Sequence, residues 1–350
     1  MKKKKILVAP LDWGIGHATR CIPIIKALLK HNYNVIIAAD NRPLHLLKNE
    51  FPNLEIIRLS GYNIKYSKYI PMNINMLLQL PKLFFSIKKE KNILSQIIED
   101  YKIDGVISDN RYGLYNQKIP CVFMTHQLKI KSPYLEDYIQ KINYNYINKF
   151  NSCWIIDSKD DNVAGELSKP EKLPRNHHFI GILSRFKKNT KKQEIKYKYL
   201  GLVSGPEPQR TILANGLIKS FKNKEAKTLI VLGKPEEKRN EIIGNLTIKS
   251  HMLAEELNEV ILNSEIIICR PGYSTIMDLI TLNKKAFFIP TPGQTEQEYL
   301  ANRFLKNKIF YMQKQSEYNL DRGLKEMKKY NVQLSMDPEE KNWKELFSLF

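Results

Sequence analysis

Asp12-Trp13-Gly14-Ile15-Gly16-His17-Ala18-Thr19-Arg20 is the most informative stretch of this chain. An apolar run, 6–10, precedes it and an apolar-periodic segment, 21–29, follows, which is the order strand, glycine turn, helix. Gly14 and Gly16 let a ligand approach the backbone closely. The helix that follows aims N–H groups and a partial positive charge at the same point. His17 falls at the mouth of the turn, where a ring titrating near neutral pH can act on a proton. The spacing lacks the third glycine of the dinucleotide fingerprint. Taken alone, the motif fits an anion or catalytic site and a plain tight turn with an incidental histidine equally.

The chain has 350 residues, enough for two domains of ordinary size, and 43% of them are hydrophobic. Cys21, Cys121, Cys153 and Cys269 are widely spaced and form no metal-ligand or redox pattern. A reduced, cytoplasmic setting is therefore expected, without a metal site. The lysines at 2–5 lead into a short apolar run that passes straight into the glycine turn, so a first strand is expected and not a signal peptide. No apolar stretch reaches the length of a membrane span. A formal net charge of +20 attracts nucleic acid, anionic membranes and anionic substrates alike. The lysines are dispersed and no nucleic-acid-binding signature accompanies them, so nucleic acid is not an expected partner.

Apolar runs at 5–9, 34–38, 54–58, 105–108, 122–125 and 153–156 alternate with helical patterns, including 22–30 and 93–101. Runs without polar alternation suit parallel strands buried on both faces, and the order predicts an open α/β sheet. The second half repeats the theme. Strands are expected at 199–204, 228–232, 246–249, 266–269, 286–289 and 309–312, and helices at 208–221, 254–262, 274–282 and 296–306. The expected organisation is an N-terminal domain over 1–184, a lysine-dense linker over 185–198, a second domain over 199–335 and a C-terminal helix over 336–350. In that helix Trp343, Leu346, Phe347 and Phe350 need a surface, taken to be the first domain; Pro338 suits its first turn.

Ligands of open α/β sheets bind beyond the carboxyl ends of the strands, so the polar residues just after each expected strand are the candidates. The first half offers Asp12 and His17, then Asp109-Asn110-Arg111, a trio suited to a polar acceptor, then His126. That last residue suits a ligand contact or an ordinary hydrogen-bonded histidine. The second half offers Ser204, Gly205 and Arg210, then His251, the segment Arg270 to Thr275, and the segment Thr291 to Gln297. Gly272 opens a turn, Ser274 and Thr275 are N-cap candidates for the next helix, and such a start suits a diphosphate. Asp278, one turn in, can accept hydrogen bonds from a ribose. The Ser204–Arg210 loop reads as an anion loop or an ordinary one, since two prolines make it poor in N–H donors.

Gly14-x-Gly16-His17, Cys269-Arg-Pro-Gly-Tyr-Ser-Thr-Ile-Met-Asp278 and Pro290-Thr-Pro-Gly-Gln-Thr-Glu-Gln-Glu-Tyr-Leu-Ala-Asn302 together resemble GT-B glycosyltransferases. Within that fold the chain resembles family 28, which holds the peptidoglycan N-acetylglucosaminyltransferase and galactolipid synthases. The resemblance covers both halves in order. It implies two Rossmann-like domains facing across a cleft. It also implies an inverting, metal-independent transfer of a sugar from a nucleotide-sugar, UDP-linked, to a hydroxyl acceptor such as a lipid-linked or cell-envelope glycan. His251 would lie near the base, Gly272, Ser274 and Thr275 at the diphosphate, Asp278 at the ribose, and Gln294 and Gln297 at the donor sugar. Ser204, Gly205, Arg210 and Arg270 complete the donor set. Gly14, Gly16, Asn110, Arg111 and His126 form the acceptor set.

His17 is then the expected base, with Asp12 or Asp109 in reserve. Helix-start N–H groups and Arg210 would stabilise the leaving diphosphate. No cofactor is implied, because the nucleotide-sugar is a substrate. Two departures, Asp12-Trp13 before Gly14 and the Ser204-Gly205-Pro206-Glu207-Pro208 loop, leave the acceptor and the phosphate contacts open. The alternatives are a UDP-sugar hydrolase or 2-epimerase on the same fold, or a non-catalytic basic binding protein.

Residues 62–98 mix Met72, Met76, Leu77, Leu78, Leu80, Leu83, Phe84, Phe85 and Ile87 with Lys65, Lys68, Lys82, Lys88, Lys89 and Lys91. They read either as a buried helical pair or as an apolar patch rimmed by lysine on an anionic bilayer. The second reading places a cytoplasmic protein peripherally on the inner face of the membrane, beside a lipid-linked acceptor.

Overall fold

The computed structural model describes residues 3–62, 79–130, 136–160, 162–189, 194–330 and 341–350. Met72, Met76, Leu77, Leu78, Lys65, Lys68 and Pro338 lie outside the described residues. The chain divides into one unit of Met1–Leu183 with Pro338–Phe350 and another of Ser184–Asp337.

The first unit runs β1 (Lys5–Pro10), α1 (Ile15–Lys30), β2 (Asn34–Ala39), α2 (Asn41–Glu50), β3 (Glu55–Arg58), α3 (Leu80–Tyr101), β4 (Gly105–Asp109), β5 (Cys121–Thr125), α4 (Glu136–Ile147), β6 (Ser152–Ile155) and β7 (His177–Phe179). Its seven strands lie in the order β3-β2-β1-β4-β5-β6-β7, all parallel. The fully buried β5 is apolar at four of its five positions, as a strand covered on both faces must be, while the equally buried β4 ends on the polar Ser108 and Asp109 at the sheet edge. Leu7, Val106 and Phe123 pack with Leu94 and Ile97 of α3.

The chain order steps from β1 to β2 on one side and from β3 back to β4 on the other, so the loops after β1 and β4 are neighbours. α1 begins at Ile15, seven residues before the expected 22, because His17, Thr19 and Arg20 break the apolar pattern although Ala18, Thr19, Arg20 and Cys21 are all buried. α2, α4 and β7 are additions to the elements expected from the sequence.

The C-terminal helix α10, whose bounds are Trp343–Phe347, packs by Phe347 against Tyr33 and Trp154. A Cβ on Gly105 would meet Phe350 at 2.4 Å, so that strand position is kept bare by the tail's last ring.

The second unit runs β8 (Tyr197–Leu202), α5 (Gln209–Phe221), β9 (Thr228–Val231), β10 (Asn240–Ile243), β11 (Leu246–Lys249), α6 (Ala254–Leu262), β12 (Ser264–Cys269), α7 (Tyr273–Leu282), β13 (Ala286–Phe288), α8 (Thr295–Lys306), β14 (Tyr311–Met312) and α9 (Leu320–Glu326). The order is β10-β11-β9-β8-β12-β13-β14. Only β10 is antiparallel to its neighbour. It joins β11 through Gly244, at φ 58, in a two-residue Gly244-Asn245 hairpin turn with glycine at its first position.

Arg111 corrects one expectation. It is wholly buried, not turned to an acceptor. Its Nε donates to Glu90 Oε1 at 2.7 Å, and its Nη groups donate to Leu59 O at 3.2 Å and Ser60 O at 2.6 Å. Tyr62 Oη and Gly113 N also donate to Glu90. The network joins α3 to the loops after β3 and β4. Arg111→Met strands Glu90 in the core, so it is expected to cost about 3–5 kcal/mol, read as a lower midpoint in urea unfolding. Removing the Glu90 charge as well (Arg111→Met with Glu90→Gln) should recover part of the loss.

Candidate active site

At the carboxyl edge of the first sheet three loops meet. Leu11 N donates to Asp109 O at 3.0 Å and Asn110 N to Met124 O at 3.1 Å. Asn110 sits at φ 57, a conformation asparagine tolerates. Thr125 Oγ1 accepts from Gln127 N at 3.0 Å, turning the chain at His126.

Into this edge project His17 and Arg20, one turn apart on α1 and so on one helix face. Arg20, 2% exposed, grips Asp109 with both ends of its fork. Its Nε donates to Oδ2 at 2.7 Å and its Nη2 to Oδ1. Arg20 also meets Nδ1 of His126 at 2.8 Å and Nδ1 of His17 at 2.7 Å. His17 Nδ1 lies 3.2 Å from Asp109 Oδ1, and 17% of its side chain is exposed. His17, Asp109 and His126 are thus brought together as candidates, joined by Arg20, which sequence reasoning passed over. The signal was available in the i, i+3 spacing of His17 and Arg20.

Burial lowers the His17 pKa below its ordinary value and Arg20 lowers it further, against the pull of Asp109. Burial alone would raise Asp109, but Arg20 and then His17 hold it down at about 2. Asp12 stands apart from this cluster. Asn41 Nδ2 donates to its Oδ2 at 3.1 Å, and its carboxylate lies over the bare Cα of Gly61. A Cβ on Gly14 would meet no atom within 4 Å, so this turn leaves its backbone approachable.

In the second sheet the registers Leu202↔Cys269 and Cys269↔Phe288 put the loops after β8, β12 and β13 side by side. Arg270 ties them together. Wholly buried, it donates to Ile289 O and Pro290 O at 2.8 Å each and to Gln209 O at 2.9 Å. The expectation of a direct donor contact is corrected to a loop-binding role.

Gly205, at φ 108, needs glycine for its backbone, and a Cβ there would lie 3.5 Å from Thr291 Oγ1. Thr291 Oγ1 and Gln294 Oε1 are buried without a hydrogen-bond partner among the described residues. Gln297 is buried, and its Oε1 accepts from Thr291 N at 2.8 Å, so it shapes this loop. The N-cap of α7 is Gly272, in place of the expected Ser274 or Thr275, which lie in the first turn. Ser204 and His251 are half-buried at the ends of β8 and β11. Arg210 is paired with Glu207, Nε to Oε1 at 2.8 Å, so its charge is already balanced. Asp278 is buried. It accepts from Ser184 Oγ at 2.6 Å with Arg185 Nε 4.0 Å away.

Residues 4–193 match the profile of Glycosyl transferase family 1 and residues 210–347 that of the Glycosyltransferase family 28 C-terminal domain. No curated protein matches. Among solved structures, SnogD from Streptomyces nogalater is 12% identical with a TM-score of 0.60 and 100% of each chain covered. MurG of Acinetobacter baumannii is 15% identical with a TM-score of 0.53 and 99% of each chain covered. The glycosyltransferase VinC in complex with dTDP is 12% identical with a TM-score of 0.53, over 94% of this chain and 91% of that one. At these identities the likeness is one of fold, the two-domain α/β GT-B arrangement.

Burial raises Asp278 to about 6, with Arg185 and Ser184 opposing. The folded chain therefore holds a proton that the unfolded chain releases, and stability falls as pH rises through about 4 to 6. The penalty is absent only well below pH 4 and is complete above about pH 6. Asp278→Asn is expected to match the parent at pH 3 and to exceed it by roughly 2–3 kcal/mol at pH 8, measured by urea unfolding at both values.

Proposed function

The chain belongs to the family described as Glycosyl transferase family 1, whose profile spans residues 4–193, and from that membership we propose that it moves a sugar from a UDP-sugar to a hydroxyl acceptor, with inversion and without a metal ion. It is a glycosyltransferase of GT-B fold. The observation that carries the finer reading is the meeting of Gly205, the Gly272 start of α7 and the Thr291–Gln294 loop at one sheet edge. A helix start and a loop with a bare Cα suit a diphosphate. The partnerless Thr291 Oγ1 and Gln294 Oε1 suit sugar hydroxyls. Asp278 supports the ribose and His251 lies toward the base. That VinC is captured with dTDP supports a nucleoside diphosphate as the shared ligand class.

The transfer is a single displacement. The acceptor oxygen bonds to the anomeric carbon as the bond from that carbon to the diphosphate oxygen breaks, and the acceptor proton passes to His17. The leaving charge falls to the start of α7. His17→Ala should keep its affinity for UDP by calorimetry while turnover falls about 10²–10⁴-fold. Added EDTA should leave the parent's rate unchanged. Full turnover in His17→Ala, or no heat with UDP or dTDP, would remove this reading. UDP and free sugar formed without any acceptor would favour the hydrolase instead.

The acceptor is proposed to be lipid-linked and met at the inner face of the cell membrane. On α3 Phe84 is 39% and Phe85 76% exposed, beside exposed Lys82, Lys88, Lys89 and Lys91. That pattern suits an anionic bilayer. Among the described residues no helix is long and apolar enough to cross a membrane. Vesicles rich in anionic lipid should float the protein in low salt and release it in high salt. Phe84→Glu with Phe85→Glu should abolish flotation, and flotation unchanged by those substitutions would refute the patch.

A further inference from the structure

We propose that Arg20 is a positioning residue that decides which ring nitrogen of His17 carries the proton. The inference rests on the reading of His17 as the base. A guanidinium only donates, so the Nδ1 that Arg20 Nη2 meets at 2.7 Å must offer its lone pair. The neutral ring then keeps its proton on Nε2 and cannot take one from an acceptor hydroxyl. The same Nδ1 lies 3.2 Å from Asp109 Oδ1, and a carboxylate only accepts. With that partner Nδ1 holds the proton and the Nε2 lone pair is free to act as base. Two partners of opposite demand thus contend for one nitrogen, and passing it from Arg20 to Asp109 requires the ring to draw back from Nη2, because two N–H donors do not face each other at 2.7 Å.

Arg20 stays in place throughout, because Nε on Asp109 Oδ2 at 2.7 Å and Nη1 on His126 Nδ1 at 2.8 Å hold it. His126 is kept in the same Nε2–H form. The charged and titratable groups facing His17 are Arg20 on its own helix, Asp109 at the end of β4 and His126 after β5. Cys21, with Sγ 3.9 Å from Asp109 Oδ2, is pushed up by burial and stays a thiol. Burial, then Arg20, keep His17 neutral near pH 7, so its tautomer sets what the ring can do. With Nδ1 on Arg20 the site holds an idle base that does not activate water against the donor. With Nδ1 on Asp109 the base is armed.

The test is long-range 1H–15N spectroscopy of the full chain labelled at histidine, with His17 assigned through His17→Gln. The parent's neutral His17 should show the Nε2–H form. In Arg20→Met it should change to the Nδ1–H form. Its pKa should rise by about one unit or more as Asp109 loses its competitor, and the acid limb of the kcat/KM profile should move up by the same amount. An Nδ1–H form in the parent overturns the proposal whatever the variant's stability, and so does a variant with tautomer and pKa unchanged. The spectra are recorded without substrate, so they read the tautomer even in a chain that transfers no sugar, and a failed tautomer leaves the turnover of His17→Ala to be judged separately.

Discussion

Buried guanidinium groups hold the loops at the carboxyl edges of both sheets, and the sites depend on that restraint. Loops at such an edge carry backbone carbonyls that no ladder satisfies. Arg111 answers three of them in the first unit and Arg270 three in the second. A rigid fork with five donors can do this where a lysine ammonium cannot. In the first unit the charge is compensated by Glu90. In the second, the partners besides the carbonyls include the amide of Gln315, at 2.5 Å.

Arg20 applies the same chemistry at the edge that holds His17. It fixes Asp109 as an anion and touches two imidazoles at once. A carboxylate held at about 2 serves to orient and to stabilise charge; it is too weakly basic to share a proton with a hydroxyl. That separates Asp109 from His17 in role although they stand in contact. In the second unit the chemistry is different in kind. It is built from backbone N–H groups, a left-handed glycine and partnerless oxygens, which suit a neutral sugar on an anionic handle.

Much of the scaffold was legible in the chain. The apolar runs at 105–108 and 122–125 and the strand-turn-helix order around Gly14 and Gly272 place both sheets and the loops at their carboxyl edges. Periodicity located α6 by the same residues it occupies, Ala254–Leu262. It shortened α1, where His17, Thr19 and Arg20 interrupt the apolar pattern though the last two are buried, and α3, whose first turns mix apolar residues with lysines. β7 and β10 were missed for their composition and not their length: two histidines open β7 and Asn240 and Glu241 open β10, whereas β13 and β14, of three and two residues, were anticipated.

Residue type and spacing determined by themselves that this is a two-unit α/β chain with polar groups after its strands, and which motifs resemble glycosyltransferases. Only the tertiary structure decided what each polar group does. Arg111 and Arg270 turn inward, Gln297 shapes a loop, Arg210 is balanced by Glu207, and Arg20 joins the two histidines. The reason is physical. A charged side chain read along a sequence has no partner, whereas in a low-dielectric interior its partner determines its protonation, its orientation and its chemistry.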